Sequence, residues 1–188
     1  MKILQATEHF LPDPGIERFV YELCRVLAGA GQSVTMLAGG QGRDLTLGGV
    51  RIRHASACPG YTFRSRITNM NSDTLAMHRQ RPDLVHAHHF GSGYAASLLK
   101  KYDGTPYILT IHRMPPPGGQ NRLYREMCRK ALAGASAVIA VTDTIKDWIE
   151  MDFGMSSTVI HLSADAEKQD WGEAIQQYLG IYESALKA

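Results

Sequence analysis

The chain has 188 residues, 44% of them hydrophobic and 20% charged, with a formal net charge of +2. That length suits one domain with its own core, and the mixture excludes a disordered or fibrous chain. So small a net charge gives no case for nucleic acid as a partner.

Lys2–Thr7 (KILQAT) reads as a first strand, and Pro12, Pro14 and Gly15 break the loop after it. From Ile16 to about Ala28 the apolar residues Ile16, Phe19, Val20, Leu23 and Leu27 recur at helical spacing, the stripe of a helix packed on a sheet. Gly29 and Gly31 stop it, and Ser33–Ala38 is the next strand, completing a strand–helix–strand unit. Gly39, Gly40, Gly42, Gly48 and Gly49 punctuate a loop leading to a short strand at Val50–His54. An irregular region, Ala55–Arg66, precedes a helix from about Asn69 to Arg79, which Pro82 separates from the following strand.

That strand, Leu84–Ala87, opens a second unit: a polar bend over His88–Gly93, a helix from Tyr94 to Lys101, and a strand Tyr107–Ile111 ending in His112. Short apolar runs joined by a helix are the pattern of a parallel crossover. A loop with Pro115, Pro116 and Pro117 leads to a helix from about Arg122 to Ala133, closed by Gly134. Val138–Val141 is a buried-type strand, Asp143–Met151 a helix with Asp143 as its candidate N-cap, and Ser157–Leu162 a last strand. Trp171, Ile175, Tyr178, Leu179, Tyr182 and Leu186 then mark one face of a terminal helix, too aromatic to face water without a partner surface.

In open parallel sheets ligands sit beyond the carboxyl ends of the strands. His88 and His112 both fall there, so two imidazoles can meet across one crevice. His86 belongs to the strand interior, holding backbone or water. His86 and His88 share a face, yet no local carboxylate or further histidine completes a familiar ligand set, so no metal is expected. Gly15, at the turn from the first strand into the first helix, lets backbone approach a ligand, and the helix start attracts phosphate. The turn is neither a GxGxxG fingerprint nor a Walker loop, and Gly91-Ser92-Gly93 is a poor substitute for a serine elbow. Glu8 and Asp143 are the carboxylates nearest strand ends, and both read better as loop or cap residues.

Basic residues gather at Arg51, Arg53, Arg64 and Arg66, and again at Arg113, Arg122, Arg125, Arg129 and Lys130. A solvated surface is the plain reading, with an anionic ligand or membrane surface as the alternative. Cys24, Cys58 and Cys128 form no CxxC pair and suit a reducing cytoplasm. Neither a secretory signal nor a membrane-spanning run is visible.

Four stretches in register resemble the amino-terminal domain of a GT-B glycosyltransferase of the retaining family 4 type. They are MKILQATEHFLPDPGIERFVYELCRVLAGAGQSVTML, PDLVHAHHFGSGYAASLLKK, TPYILTIH and ALAGASAVIAVTDTIKDWI, together covering about residues 1–162. The resemblance implies an α/β class: a single Rossmann-like three-layer domain with a mostly parallel sheet, half of a GT-B fold, over residues 1–165. DWGEAIQQYLGIYESALKA resembles that family's final helix, so residues 166–188 are expected to pack back on the same domain. The basic pair and acidic element of the donor-binding half have no counterpart here, and the usual link into that half is replaced by Ile160-His-Leu-Ser-Ala-Asp165.

Such enzymes move a sugar from a nucleotide-sugar to an acceptor without a cofactor or metal. By resemblance His88 is the catalytic position touching the transferring sugar, while Gly15, His112 and Glu17 are substrate-binding. Pro14, beside Gly15, has no N–H to offer a diphosphate. The expected partners are an acceptor sugar or lipid-linked acceptor, with nucleotide-sugar bound only alongside a donor domain. Transfer by this chain alone is expected to be slight or nil. A non-catalytic sugar or phosphate binding module, or a partner of a separate donor-domain chain, is the alternative. Peripheral contact at the inner membrane face stays open, as does the choice between monomer and homodimer.

Overall fold

Strand–helix alternation along the chain builds one sheet with helices on both faces. The computed structural model describes residues 1–7, 15–39, 43–55, 63–115, 121–162 and 169–187. Its strands are β1 (Lys2–Thr7), β2 (Ser33–Gly39), β3 (Leu45–Leu47), β4 (Val50–Ala55), β5 (Leu84–His88), β6 (Tyr107–Ile111), β7 (Ala137–Ala140) and β8 (Thr158–Val159). Its helices are α1 (Ile16–Gly29), α2 (Phe63–Gln80), α3 (Phe90–Asp103), α4 (Arg122–Gly134), α5 (Asp143–Phe153) and α6 (Trp171–Lys187). In space the strands run β3-β4-β2-β1-β5-β6-β7-β8. All pairs are parallel except β3 with β4. The chain winds outward from β1 through β2, then crosses back to β5 on the other side of β1. That reversal is where a crevice opens beyond the strand ends.

Side chains alternate across the sheet because successive residues of a strand point to opposite faces. One face packs Leu4, Val85, Ala87, Tyr107, Leu109 and Ile111 against α2, α3, α4 and α5. The other packs Ile3, Leu84 and Ile108 against α1 and α6. On α1 the predicted stripe is buried from Phe19 through Leu27, with Cys24 beside it. On α6, Ala174, Ile175, Tyr178, Tyr182 and Ala185 are buried. The C-terminal helix thus closes the sheet's second face. Leu186, counted on that stripe from spacing, is exposed instead, and Ala185 takes the inward position in the last turn.

Several boundaries differ from the sequence reading. The polar bend over His88–Gly93 is not a loop: β5 runs through His88 and α3 starts at Phe90. Glycine masked that turn, and packing explains it: a Cβ on Gly93 would lie 2.8 Å from Leu109 Cδ1, so any side chain there would have to displace Leu109 between α3 and β6. The N-cap of α5 is Thr142, whose side chain accepts from the Ile145 N–H; Asp143 is the first helical residue. The glycine-punctuated segment holds an unpredicted edge strand, β3, paired antiparallel to β4. Helix α2 starts at Phe63, inside the region read as irregular, and β8 is only Thr158–Val159. Glu8, Pro12, Pro14, Gly40, Gly42, Cys58, Pro116, Pro117 and Asp165 lie outside the described residues.

Candidate functional site

The carboxyl ends of β1, β5 and β6 line up in register, Gln5 opposite His86 and His88 opposite Thr110. On each strand the apolar alternation on the α1/α6 face gives way to polar residues toward the crevice. Ile3 is followed on that face by Gln5 and Thr7, Leu84 by His86 and His88, Ile108 by Thr110 and His112. Tyrosines of α6 meet this polar strip from above: Tyr178 and Tyr182 have no exposed surface, and their rings lie 5.5 Å from His86.

A continuous hydrogen-bonded chain results. His86 holds the Tyr182 hydroxyl at Nδ1 and Thr110 Oγ1 at Nε2, each at 2.7 Å. Gln5 Nε2 donates to the same hydroxyl at 3.1 Å, and Gln5 Oε1 lies 2.7 Å from His88 Nε2. His88 Nδ1 is 2.9 Å from His112 Nε2. His86 therefore meets side chains of β6 and α6 rather than the backbone or water expected of it. Buried polar groups need such partners, and a satisfied network fixes one core arrangement.

His88 is wholly buried, and protein atoms hold both of its ring nitrogens. It stands behind His112 rather than at the mouth of the crevice. His112 is half-buried, the outermost imidazole of the three, with Phe19 packed edge-on at 5.8 Å. Phe19 in turn stacks on Trp171 at 5.0 Å, so the start of α6 forms one wall. His89 lies 5.5 Å from the His112 ring at the N-cap of α3, with φ +90°. Such a conformation is strained for a residue with a side chain.

Burial keeps these imidazoles neutral. It pushes His86 down to about 3. It sets His88 well below the ordinary 6.5, helped by the imidazoles of His86, His112 and His89. His112 is likewise lowered well below 6.5, by burial first and then by His89 and His86. Tyr182 is raised well above 10.0 by burial, so its hydroxyl keeps its proton.

Gly15 is the exposed N-cap of α1, and Glu17 is half-buried two residues before Phe19. The Gly15 backbone is extended at φ −164°, which any residue adopts, and an added Cβ would meet only Glu17 Oε2 at 3.7 Å. The N-cap residues of α1 and α3, Gly15 and His89, make no side-chain cap bond, whereas Asn121 and Thr142 cap α4 and α5. Positive helix ends favour anionic groups. Thr7, at the end of β1, keeps a buried hydroxyl with no partner among the described residues.

Among the described residues no three His, Cys, Asp or Glu side chains are placed to hold a metal ion. The basic residues after His112 are partly paired: Arg125 with Asp152 at 3.3 Å, Arg129 and Lys130 with Glu126. Arg53 pairs with Asp44 at 2.6 Å. No helix among the described residues is long and apolar enough to cross a membrane. Gln5 and Thr110 escaped sequence reading, which placed Tyr178 and Tyr182 on a packing face only. Their signal was a polar residue interrupting each buried strand, opposite tyrosines on the terminal helix.

A parallel sheet reversing at β1, with its polar crevice at the strand ends and a returning helix sealing one face, is a Rossmann-like half of a GT-B fold. Residues 14–168 match the family model Glycosyltransferase Family 4, and the chain belongs to that family. Its shape is similar to the sucrose-phosphate synthase of Thermosynechococcus elongatus, at TM-score 0.70 and 16% identity over 85% of this chain and 47% of that one. A second, twinned structure of that synthase matches at TM-score 0.74 and 15% identity, over 97% of this chain and 98% of that one. Anabaena HepE in complex with UDP and glucose matches at TM-score 0.68 and 15% identity, over 96% of this chain and 50% of that one. The chain thus spans about half the length of the first synthase structure and of HepE. No curated protein matches it in sequence.

Proposed function

We propose that this chain is the acceptor-binding half of a glycosyltransferase that moves a sugar from a nucleotide-sugar donor to an acceptor sugar or lipid-linked acceptor. The observation that carries the reading is His112, half-exposed at the strand ends, seated on buried His88 and walled by Phe19 and Trp171. A neutral imidazole beside aromatic rings suits a sugar, which offers hydroxyls at its edge and apolar C–H faces. In this reading His112 touches the sugar and His88 acts from behind it. Gly15 and Glu17 border the anionic part of the ligand at the start of α1. The HepE structure holding UDP and glucose supports a nucleotide-sugar as the kind of donor.

Breaking a bond from sugar to phosphate requires charge to be stabilised on the leaving diphosphate. The described crevice offers helix ends and neutral imidazoles, with no cationic side chain identified in it. We therefore expect these 188 residues to bind acceptor but transfer little or no sugar unless a donor-binding domain is present. The test is turnover of nucleotide-sugars by the pure chain, beside calorimetry with candidate acceptor sugars. Acceptor binding that disappears in His112→Ala, with no glycosyl product, supports the reading. Robust product from the chain alone overturns the half-enzyme part of it.

The positive starts of α1 and α3 beside the strand ends favour one other reading, a non-catalytic module that holds a sugar phosphate or pairs with a separate donor-domain chain. Co-elution with such a chain, together with transfer that appears only in the mixture, would establish the pairing.

A further inference from the structure

The hydrogen bonds of the buried chain have a direction, and its consequence reaches the crevice. A carbonyl oxygen only accepts, so the proton between Gln5 Oε1 and His88 Nε2 sits on His88. A neutral His88 then has a bare Nδ1, so the proton in its contact with His112 belongs to His112 Nε2. That leaves His112 Nδ1 as a lone pair. This nitrogen has no protein partner among the described residues and is not sealed in the interior.

The other end of the chain agrees with that direction. Its NH2 donates to the Tyr182 hydroxyl, whose own hydrogen is then directed to His86 Nδ1, and His86 Nε2–H goes to Thr110. A buried hydroxyl that left this hydrogen unplaced would lose the full cost of desolvating it.

We propose that Tyr182 is a positioning residue of the site: with Gln5 it locks one direction of hydrogen bonding through His86, His88 and His112, so that His112 presents an acceptor to the crevice. The C-terminal helix therefore sets the chemical polarity of a site formed by β1, β5 and β6. A ligand group against His112 must bring a hydrogen, as a hydroxyl or N–H does. A bare phosphate or carboxylate oxygen would meet lone pair against lone pair. This rests on the site reading above for the place of the ligand, but not for the wiring itself.

The test is nitrogen-15 NMR of the histidine rings in the ligand-free chain at neutral pH, which reports which ring nitrogen carries the proton. His86, His88 and His112 are expected each as the Nε2–H form. A proton on Nδ1 of His88 or His112 overturns the proposal. In Tyr182→Phe, which keeps the ring but removes the hydroxyl, Gln5 loses its anchor and the three histidines pass from single tautomers to mixtures. A folded variant that keeps the parent tautomers also overturns it. Should Tyr182→Phe not fold, Gln5→Glu decides: two accepting oxygens draw the Tyr182 hydrogen, so His86 alone moves to the Nδ1–H form. An unchanged His86 there counts against the wiring. Because no ligand is present, a failure here leaves the acceptor-binding reading untouched, and loss of that reading leaves the tautomers as they are.

Discussion

His112 is held by what lies behind it. Its ring rests on His88, His88 rests on Gln5, and the strained backbone of His89 turns the chain sharply from β5 into α3 beside it. Strain at a non-glycine residue persists only where the surroundings hold it. Here the His89 N–H bonds the Thr110 carbonyl at 3.1 Å, locking the turn to β6. The histidines were legible in the sequence because they stand at strand ends. Their order from surface to core was not, since His88 and His112 look equivalent until the strands are stacked in register. The same limit applies at α5, where Thr142 and Asp143 are both plausible caps by residue type. The structure assigns the bond to Thr142 Oγ1, 3.2 Å from the Ile145 nitrogen. Thr142→Ala should then cost about 1 kcal/mol in urea unfolding. Asp143→Ala should cost only roughly 0.3 kcal/mol, the contribution of a first-turn carboxylate. Equal losses would return the cap to Asp143.

Among the elements, α6 couples packing to the site. It buries Ile175, Tyr178 and Tyr182 against α1 and the sheet, while Trp171 stacks on Phe19. Its aromatic stripe announced that a partner surface was required, and hydrophobic periodicity identified the face. Spacing could not say that two of the tyrosines also address a polar strip. Truncating Tyr182 to Ala removes both ring and hydroxyl, and should destabilise the chain by roughly 3–5 kcal/mol. Leu186→Ala, on the exposed last turn, should stay within about 0.5 kcal/mol of the parent. Denaturant midpoints of the two variants check this, and similar losses would mean that the helix packs on a different face.

For the whole molecule, three neutral histidines inside one fold make stability depend on pH. The unfolded chain takes up protons below the ordinary 6.5, while in the native chain His86 resists until about 3 and His88 and His112 until well below 6.5. Stability rises with pH wherever the unfolded state binds more protons. The contribution is therefore complete above about pH 6.5 and is lost as the pH falls from there toward 3. Each fully buried histidine removes roughly 1.4 kcal/mol per pH unit in that window. With typical total stability near 5–15 kcal/mol, thermal melting should drop steeply between pH 7 and pH 5. A flat melting temperature across that range would show that the imidazoles are solvated or charged in the native chain.

The sequence by itself determined the strands and helices, the parallel crossovers, the family, and the two histidines at strand ends. Each of these depends on neighbours within a turn or a strand, or on motifs in order along the chain. Element edges at Gly93 and Leu45 were less legible, because glycine at Gly93 reflects close packing from another element and β3 forms only against β4. Only the tertiary structure decided that Tyr182 meets His86, and that Gln5 reaches Tyr182 across a separation of 177 residues while also holding His88. The physical reason is range: periodicity records which way a side chain faces, whereas a hydrogen bond needs two distant groups within about 3 Å, which only the folded chain provides.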